Sequence, residues 1–247
     1  MTLPLPIRLG VAGVSLRSLN LASALVVIRR AGLDSISVHP SHVPWENPPA
    51  GWEQSLPDFK AEGVTPLCCG VLRLPDDEIA VRQACAYARA LNVSVLACSP
   101  APAALPLLTR CLREFDLCGA IHNHGPEDDL WPTPHEIWQA IRPLDARLGL
   151  CVDVGHTYRA GADPAESIRS YRSRVYDVHL NDTAAGIGEA DIPVEIGRGC
   201  IDHRSVIRAL VDIRYRHVAW IEYENHPSDP LPGLAESVGY VRGMLRA

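Results

Sequence analysis

Lysine is nearly absent from this chain: of its 23 basic residues Lys60 is the only lysine, and the rest are arginines. Schiff-base catalysis, pyridoxal phosphate attachment and a P-loop each need a placed lysine. Lys60 sits in a polar, helix-like segment just before the Gly63-Val64 turn, which argues against all three. Also missing is any Cys-x-x-Cys pair, although there are eight cysteines, at positions 68, 69, 85, 98, 111, 118, 151 and 200. Most lie inside apolar runs, and a chain this long needs no stapling, so the thiols are expected to be reduced. Met1–Pro6 shows no charged region followed by an apolar stretch, and no run of eighteen apolar residues occurs. Neither a signal peptide nor a membrane span is expected. Clustered cations are lacking too: 23 basic against 29 acidic residues leave a net charge of −6, which speaks against nucleic-acid binding. The expectation is a soluble, cytoplasmic protein with no nucleic-acid or membrane partner.

What is present is a globular composition, 47% hydrophobic and 21% charged over 247 residues, a length that suits one large α/β barrel. Short apolar runs alternate with longer amphipathic stretches from end to end. Strands are predicted at 7–14, 35–38, 65–69, 94–97, 119–123, 149–153, 175–180 and 218–223. Helices are predicted at 19–31, 54–61, 76–91, 105–115, 134–141, 165–171, 204–213 and 234–245. Asp76-Asp77-Glu78 places acids in a first helical turn, and Asp163-Pro164 reads as an N-cap followed by proline at the first helical position. Eight such pairs predict a (β/α)8 TIM barrel, a single domain over residues 1–247. An open doubly wound sheet would usually show GxGxxG after its first strand, but Gly10-Val11-Ala12-Gly13-Val14-Ser15 lacks that spacing.

In a parallel barrel the chemistry sits where strands end, and the first half of this chain offers little there beyond His39, His42 and Cys68-Cys69-Gly70. The second half differs. The fifth strand ends in Ile121-His122-Asn123-His124, the sixth in Asp153-Val154-Gly155-His156, the seventh in Asp177-Val178-His179-Leu180-Asn181-Asp182, and the eighth in Glu222-Tyr223-Glu224. Strand alternation puts Asp177, His179 and Asn181 on one face, and Glu222 with Glu224. Ionisable groups facing a barrel interior would cost several kcal/mol each if unpaired. A divalent cation shared among histidine and carboxylate ligands removes that cost. Nitrogen and oxygen donors without thiolate suit Zn²⁺, Mn²⁺, Co²⁺ or Fe²⁺. Arg159, Arg172 and Arg198 lie near strand-end loops and suit bidentate recognition of a carboxylate or phosphate, Arg198 in the Gly197–Gly199 turn being favoured.

The pieces IHNHGPED (121–128), CVDVGHTYRAGADP (151–164), YDVHLND (176–182), EIGRGCID (195–202) and WIEYEN (220–225) resemble, in order and spacing, the xylose isomerase-like superfamily of sugar phosphate isomerases, epimerases and AP endonucleases. The resemblance implies one divalent ion held by Asp153, His179 and Glu222. His122 takes the place where a glutamate is common, and His124 and Glu127 are alternatives for completing the shell. It also implies His156 as a substrate contact, and leaves Asn181 where a lysine is common.

By the same resemblance the protein is an isomerase or epimerase of a sugar, keto-sugar or polyol derivative, acting by proton abstraction next to a metal-bound carbonyl. Glu222, Glu127 and His156 are the catalytic candidates, and His124, Arg198 and Asp182 the substrate-binding ones. A dehydratase or lyase acting on an inosose or 3-keto-sugar would share the first step. An AP endonuclease-like hydrolase would need more ligands, drawn also from the early strands, and a noncatalytic sugar-binding barrel would have no use for the ligand set. The partner implied is a small carbohydrate, and the resemblance is compatible with a homo-oligomer.

Overall fold

Each apolar run of the sequence becomes a parallel stave, and the amphipathic stretch after it packs outside. In the computed structural model, which describes residues 6–46 and 49–246, the first half runs β1 (Arg8–Ala12), α1 (Leu21–Arg30), β2 (Ser35–Val38), α2 (Pro49–Glu53), α3 (Leu56–Ala61), β3 (Thr65–Leu74), α4 (Glu78–Ala90), β4 (Val95–Pro100) and α5 (Leu105–Glu114). It continues with β5 (Cys118–His122), α6 (Pro134–Ile141), β6 (Leu148–Asp153), α7 (Val154–Arg159), α8 (Pro164–Ser170) and β7 (Val175–Leu180). A small hairpin of β8 (Asp182–Thr183) and β9 (Pro193–Val194), then α9 (His203–Asp212), β10 (Val218–Ile221) and α10 (Leu231–Arg246), complete the fold. Strands β1 to β7 and β10 close into a parallel barrel in the order β1-β10-β7-β6-β5-β4-β3-β2. This is the (β/α)8 TIM barrel expected from the alternation.

Side-chain capping explains where many helices start. Asn20, Asp77, Asp163 and Asp202 each accept a hydrogen bond from the backbone N–H three residues on, an arrangement worth about 1 kcal/mol per helix. Two sequence expectations shift here. The acidic run 76–78 straddles the start of α4, with Asp77 as its cap, and the third strand continues beyond Gly70 to Leu74, pairing with β4 through Leu72, Arg73 and Leu74.

The apolar residues separate into two layers. A large shell, including Leu25, Ile36, Leu96, Ile121, Leu150, Val178 and Ile221, fills the space between strands and helices. A second, smaller cluster of Ala12, Cys68, Val95, Ala97, Ala120, Cys151, Val218 and Trp220 plugs the barrel interior. Trp220 lies over Gly10, where an added Cβ would come within 2.3 Å of the indole, so only glycine fits at that step of β1. The indole Nε1 donates to the buried Asp177 carboxylate. All eight cysteines are unpaired thiols, as the missing Cys-x-x-Cys spacing implied. Among the described residues no helix is long and apolar enough to cross a membrane.

Candidate metal centre

Strand register assembles the site. Asp153 at the end of β6 pairs with His179 on β7, His179 pairs with Trp220 on β10, and His122 at the end of β5 pairs with Cys151. One step beyond β10, the Glu222 N–H donates to Leu180 O at 2.8 Å, carrying the strand alternation on so that the Glu222 side chain meets His179. Asp153, His179 and Glu222 each offer a ligand atom, and all three atoms lie within 4.8 Å of one another. His179 Nδ1 is 2.7 Å from Glu222 Oε2 and 3.9 Å from Asp153 Oδ2, while His122 Nε2 is 3.6 Å from Asp153 Oδ2. Ligands bound at about 2.1 Å to one ion stand roughly 3–4 Å apart, so Asp153, His179 and Glu222 are close enough to share a cation, and His122 stands beside them next to Asp153.

The polar accounting points the same way. His122, Asp153 and His179 are buried, and among the described residues Nδ1 of His122 and both ring nitrogens of His179 lack a well-directed hydrogen bond, although His179 Nδ1 lies against Glu222 and Nε2 faces Asp177. An ion between Asp153, Glu222 and His179 would give Nδ1 of that ring the directed partner it lacks. The sets His122, Cys151, His179 and Asp153, His179, Glu222 both have ligand spacing and share His179. Cys151 belongs to the apolar plug inside the barrel, and burial there pushes its thiol well above its ordinary pKa. The donor set that fits is therefore nitrogen and carboxylate oxygen.

Electrostatics follow from that crowding. Burial pulls the His122 imidazole below its ordinary value, although Asp153 opposes this, and burial with the neighbouring His122 and His156 takes His124 down to about 3. Burial would raise the Asp153 carboxyl, but His156, His122 and His179 hold it below the usual range instead. Glu222 likewise lies below its ordinary value, because His179 outweighs burial. Both carboxylates are ionised and the His122 ring is neutral near pH 7. At the His179 ring, by contrast, burial is outweighed by Cys151, Glu222 and Asp177, which raise it well above its ordinary value, so an ion bound there would have to displace its proton.

A cavity of about 170 Å³ opens over this group, walled by His122, His124, His156, His179, Glu222 and Glu224, and completed from the first half of the chain by His39 and the Gly13 turn. Of the residues proposed from sequence, the structure brings His122, His124, His156, Asp153, His179 and Glu222 together. Glu127 stands aside, half exposed, its carboxylate gripped by both terminal nitrogens of Arg159. Arg198 is exposed and forks onto Glu236 at 2.6 and 2.7 Å, away from the cavity wall.

Asp182 is also removed from the cavity, for a structural reason. Its carboxylate accepts the backbone N–H groups of Thr183, Gly197, Gly199 and Ile201 and lies 3.3 Å from His203 Nε2. It fastens the loop from β8 to α9, so the glycines around Arg198 serve this carboxylate and not a ligand. Asp182→Ala should destabilise the protein by about 3–5 kcal/mol, the usual cost of breaking a buried charged network, and lower Tm by about 10 °C. Burial would raise this carboxyl, but His203 and the Gly197 and Gly199 amides hold it low. Its contribution is therefore full above the unfolded value of about 3.9 and fades as pH falls through the lower folded one. Thermal melts should show the gap between wild type and variant narrowing below about pH 4; a constant gap would contradict this assignment.

Several residues that position the site are given no role in it by the sequence, although strand alternation sets Asp177 and Asn181 on the face of His179 and Glu224 beside Glu222. Asp177 on β7 lies 3.6 Å from His179 Nε2, on the side of the ring away from Asp153 and Glu222, where a carboxylate can orient a candidate ligand histidine. Asn181 donates to Asp153 Oδ2 at 2.8 Å and accepts the Gly155 N–H at 2.8 Å. Asn123 accepts the Asp153 N–H at 3.0 Å and donates to Thr157 Oγ1 at 3.1 Å, locking the end of β5 to the start of α7. Glu224, paired with Arg17 at 2.7 Å, reaches the cavity, and burial together with Glu222 raises its pKa.

The chain belongs to the xylose isomerase-like TIM barrel family, whose model matches residues 25–244. It is 30% identical over 100 residues to a probable endonuclease 4 from Thermoplasma volcanium, a match covering 36% of this chain and only 35% of that protein. Solved structures with the same fold include the probable 3-DHS dehydratase AsbF of Bacillus anthracis (TM-score 0.77, 13% identity, 96% of this chain and 99% of that one). An L-ribulose 3-epimerase (TM-score 0.76, 16% identity, 97% and 95%) and the IolI protein with a bound zinc atom (TM-score 0.76, 16% identity, 96% and 96%) are others.

Proposed function

We propose that the protein is a divalent-metal-dependent isomerase or epimerase of a sugar, keto-sugar or polyol derivative. The observation that carries this reading is the convergence of Asp153, His179 and Glu222 within 4.8 Å of one another, with His179 and Glu222 on the wall of a cavity of about 170 Å³ and Asp153 buried behind them. His122 would be the fourth ligand, its Nε2 being 3.6 Å from Asp153 Oδ2. An ion bound there would supply Lewis acidity to a carbonyl and its neighbouring hydroxyl. The zinc in the IolI structure supports a metal in this fold, and the epimerase activity of a similar barrel supports the substrate class.

The protein's own groups supply the proton transfer. Glu222, ionised and facing the cavity, is the base that takes a proton from the carbon beside the carbonyl. Asp177 fixes the His179 ring from behind. Glu224, on the same wall and tied to Arg17, stands where a second carboxyl can serve the substrate, in place of Glu127, which is engaged by Arg159. His124 and His156 line the wall as contacts for substrate oxygens. A second reading, loss of a β-hydroxyl after the same proton abstraction, is favoured by the likeness to a probable dehydratase and uses the same residues.

The test is elemental analysis of the purified protein followed by an NMR screen of keto-sugars in D₂O. One equivalent of metal and chelator-sensitive wash-in of deuterium at a single carbon are expected, and the identity of the product separates isomerisation from dehydration. Full metal loading with no exchange across the panel, alongside binding of abasic duplex DNA at low salt, would overturn the proposal in favour of an endonuclease.

A further inference from the structure

Arg159, the last residue of α7, is only 2% exposed, an extreme burial for a guanidinium. It holds both oxygens of Glu127, donates to Glu189 O at 2.9 Å, and has Nε 3.7 Å from Asp191 Oδ1. Its remaining contact is the informative one: Nη2 lies 3.0 Å from Nδ1 of His156. A guanidinium has five donors and no acceptor, so Nδ1 must be the acceptor. A ring with its proton on Nδ1 would set two donors against each other at that distance.

We infer that Arg159 is a positioning residue which fixes His156 as the Nε2–H tautomer, so that this histidine offers the cavity a hydrogen-bond donor and selects for an oxygen acceptor on whatever binds there. Three features of the fold serve the contact. One turn of α7 brings residues 156 and 159 onto the same face. Gly125, at φ +81°, lets the loop after β5 pass over the contact without a side chain; a Cβ there would come 3.0 Å from His156 Nδ1 and 3.2 Å from both Arg159 Nη2 and Glu127 Oε2. Glu127, clamped by two hydrogen bonds, keeps the guanidinium from turning away. The selection of an oxygen acceptor rests on the function proposed above, whereas the tautomer does not depend on it.

The experiment is a two-bond ¹H–¹⁵N spectrum of the full chain carrying ¹⁵N at its ten histidines and at its arginines, with His156 identified by its loss in His156→Gln. The expected result is an unprotonated Nδ1 and a protonated Nε2, together with a scalar coupling across the hydrogen bond from Arg159 Nη2 to Nδ1. In Arg159→Met the single tautomer should give way to a mixture. An Nδ1-protonated ring in the wild type, absence of the coupling, or an unchanged tautomer in folded Arg159→Met would each overturn the inference. If Arg159→Met does not fold, the two wild-type readouts decide. Spectra with and without added Zn²⁺ separate this inference from the metal reading: the expected tautomer in a protein that binds no zinc leaves the inference standing and removes the metal, and zinc binding with the other tautomer does the reverse.

Discussion

Asp153→Asn should give a folded protein that no longer retains a divalent cation. Asparagine keeps the shape of the side chain and an oxygen able to accept the His156 N–H at the start of α7, a contact of 2.8 Å in the wild type. It removes the negative charge and puts an amide NH2, a donor that cannot ligate, at the position of Oδ2, which faces His122, His179 and the Asn181 amide. Losing an outer-shell partner of a metal typically weakens binding about 10–100-fold, and loss of a charged ligand should exceed that. Thermal melts provide the readout: a ligand at 100 times its Kd stabilises by about 2.7 kcal/mol. The wild-type Tm should therefore fall on chelation and the variant's should not respond. Equal metal content in the two proteins would place the ion elsewhere.

Glu222→Gln should abolish exchange of the substrate's carbon-bound proton. Positioned acid–base groups contribute about 10²–10⁴-fold to proton transfer, and this carboxylate is also one of the donors around the candidate ion, so the loss should reach or exceed the upper end. Glu127→Gln is the informative companion. Because Arg159 occupies that carboxylate, the substitution should change exchange by less than about tenfold while loosening the loop after β5. NMR exchange rates at saturating metal discriminate the two cases. If Glu127→Gln were the more damaging variant, the assignment of Glu222 as the base would be wrong.

The barrel itself was legible because its signal is repeated eight times: apolar runs of strand length separated by amphipathic stretches leave few alternatives. So was the convergence of His122, Asp153, His179 and Glu222, since each ends a strand and all strand ends of a parallel barrel lie at one mouth. The contribution of Arg17 was hidden, because only barrel closure sets β1 beside β10 and brings the start of the chain against its end, whereas His39 was legible as a strand-end histidine with nothing to tie it to the later ones. Helix α7 was hidden too. It is six residues long with Gly155 in its first turn, too short for any periodicity to show. Hairpin β8–β9 consists of two-residue strands separated by a loop, again without a period to read. Arg159 and Arg198 looked alike as strand-end arginines. What separates them is three-dimensional: one is enclosed between the loop after β5 and the loop from β8 to β9, and the other lies on the surface beside Glu236.

The double duty of Asp153 bears on how this barrel could be re-engineered. One carboxylate oxygen starts α7 and the other faces the candidate ion, so the ligand sphere and the segment bearing His156 and Arg159 form a single mechanical unit. Transplanting residues 154–159 from another barrel to alter selectivity would also re-aim the ligand at its root. Libraries meant to change substrate preference while sparing the metal should therefore leave this segment intact and diversify the wall across the mouth, near His39 and Glu224.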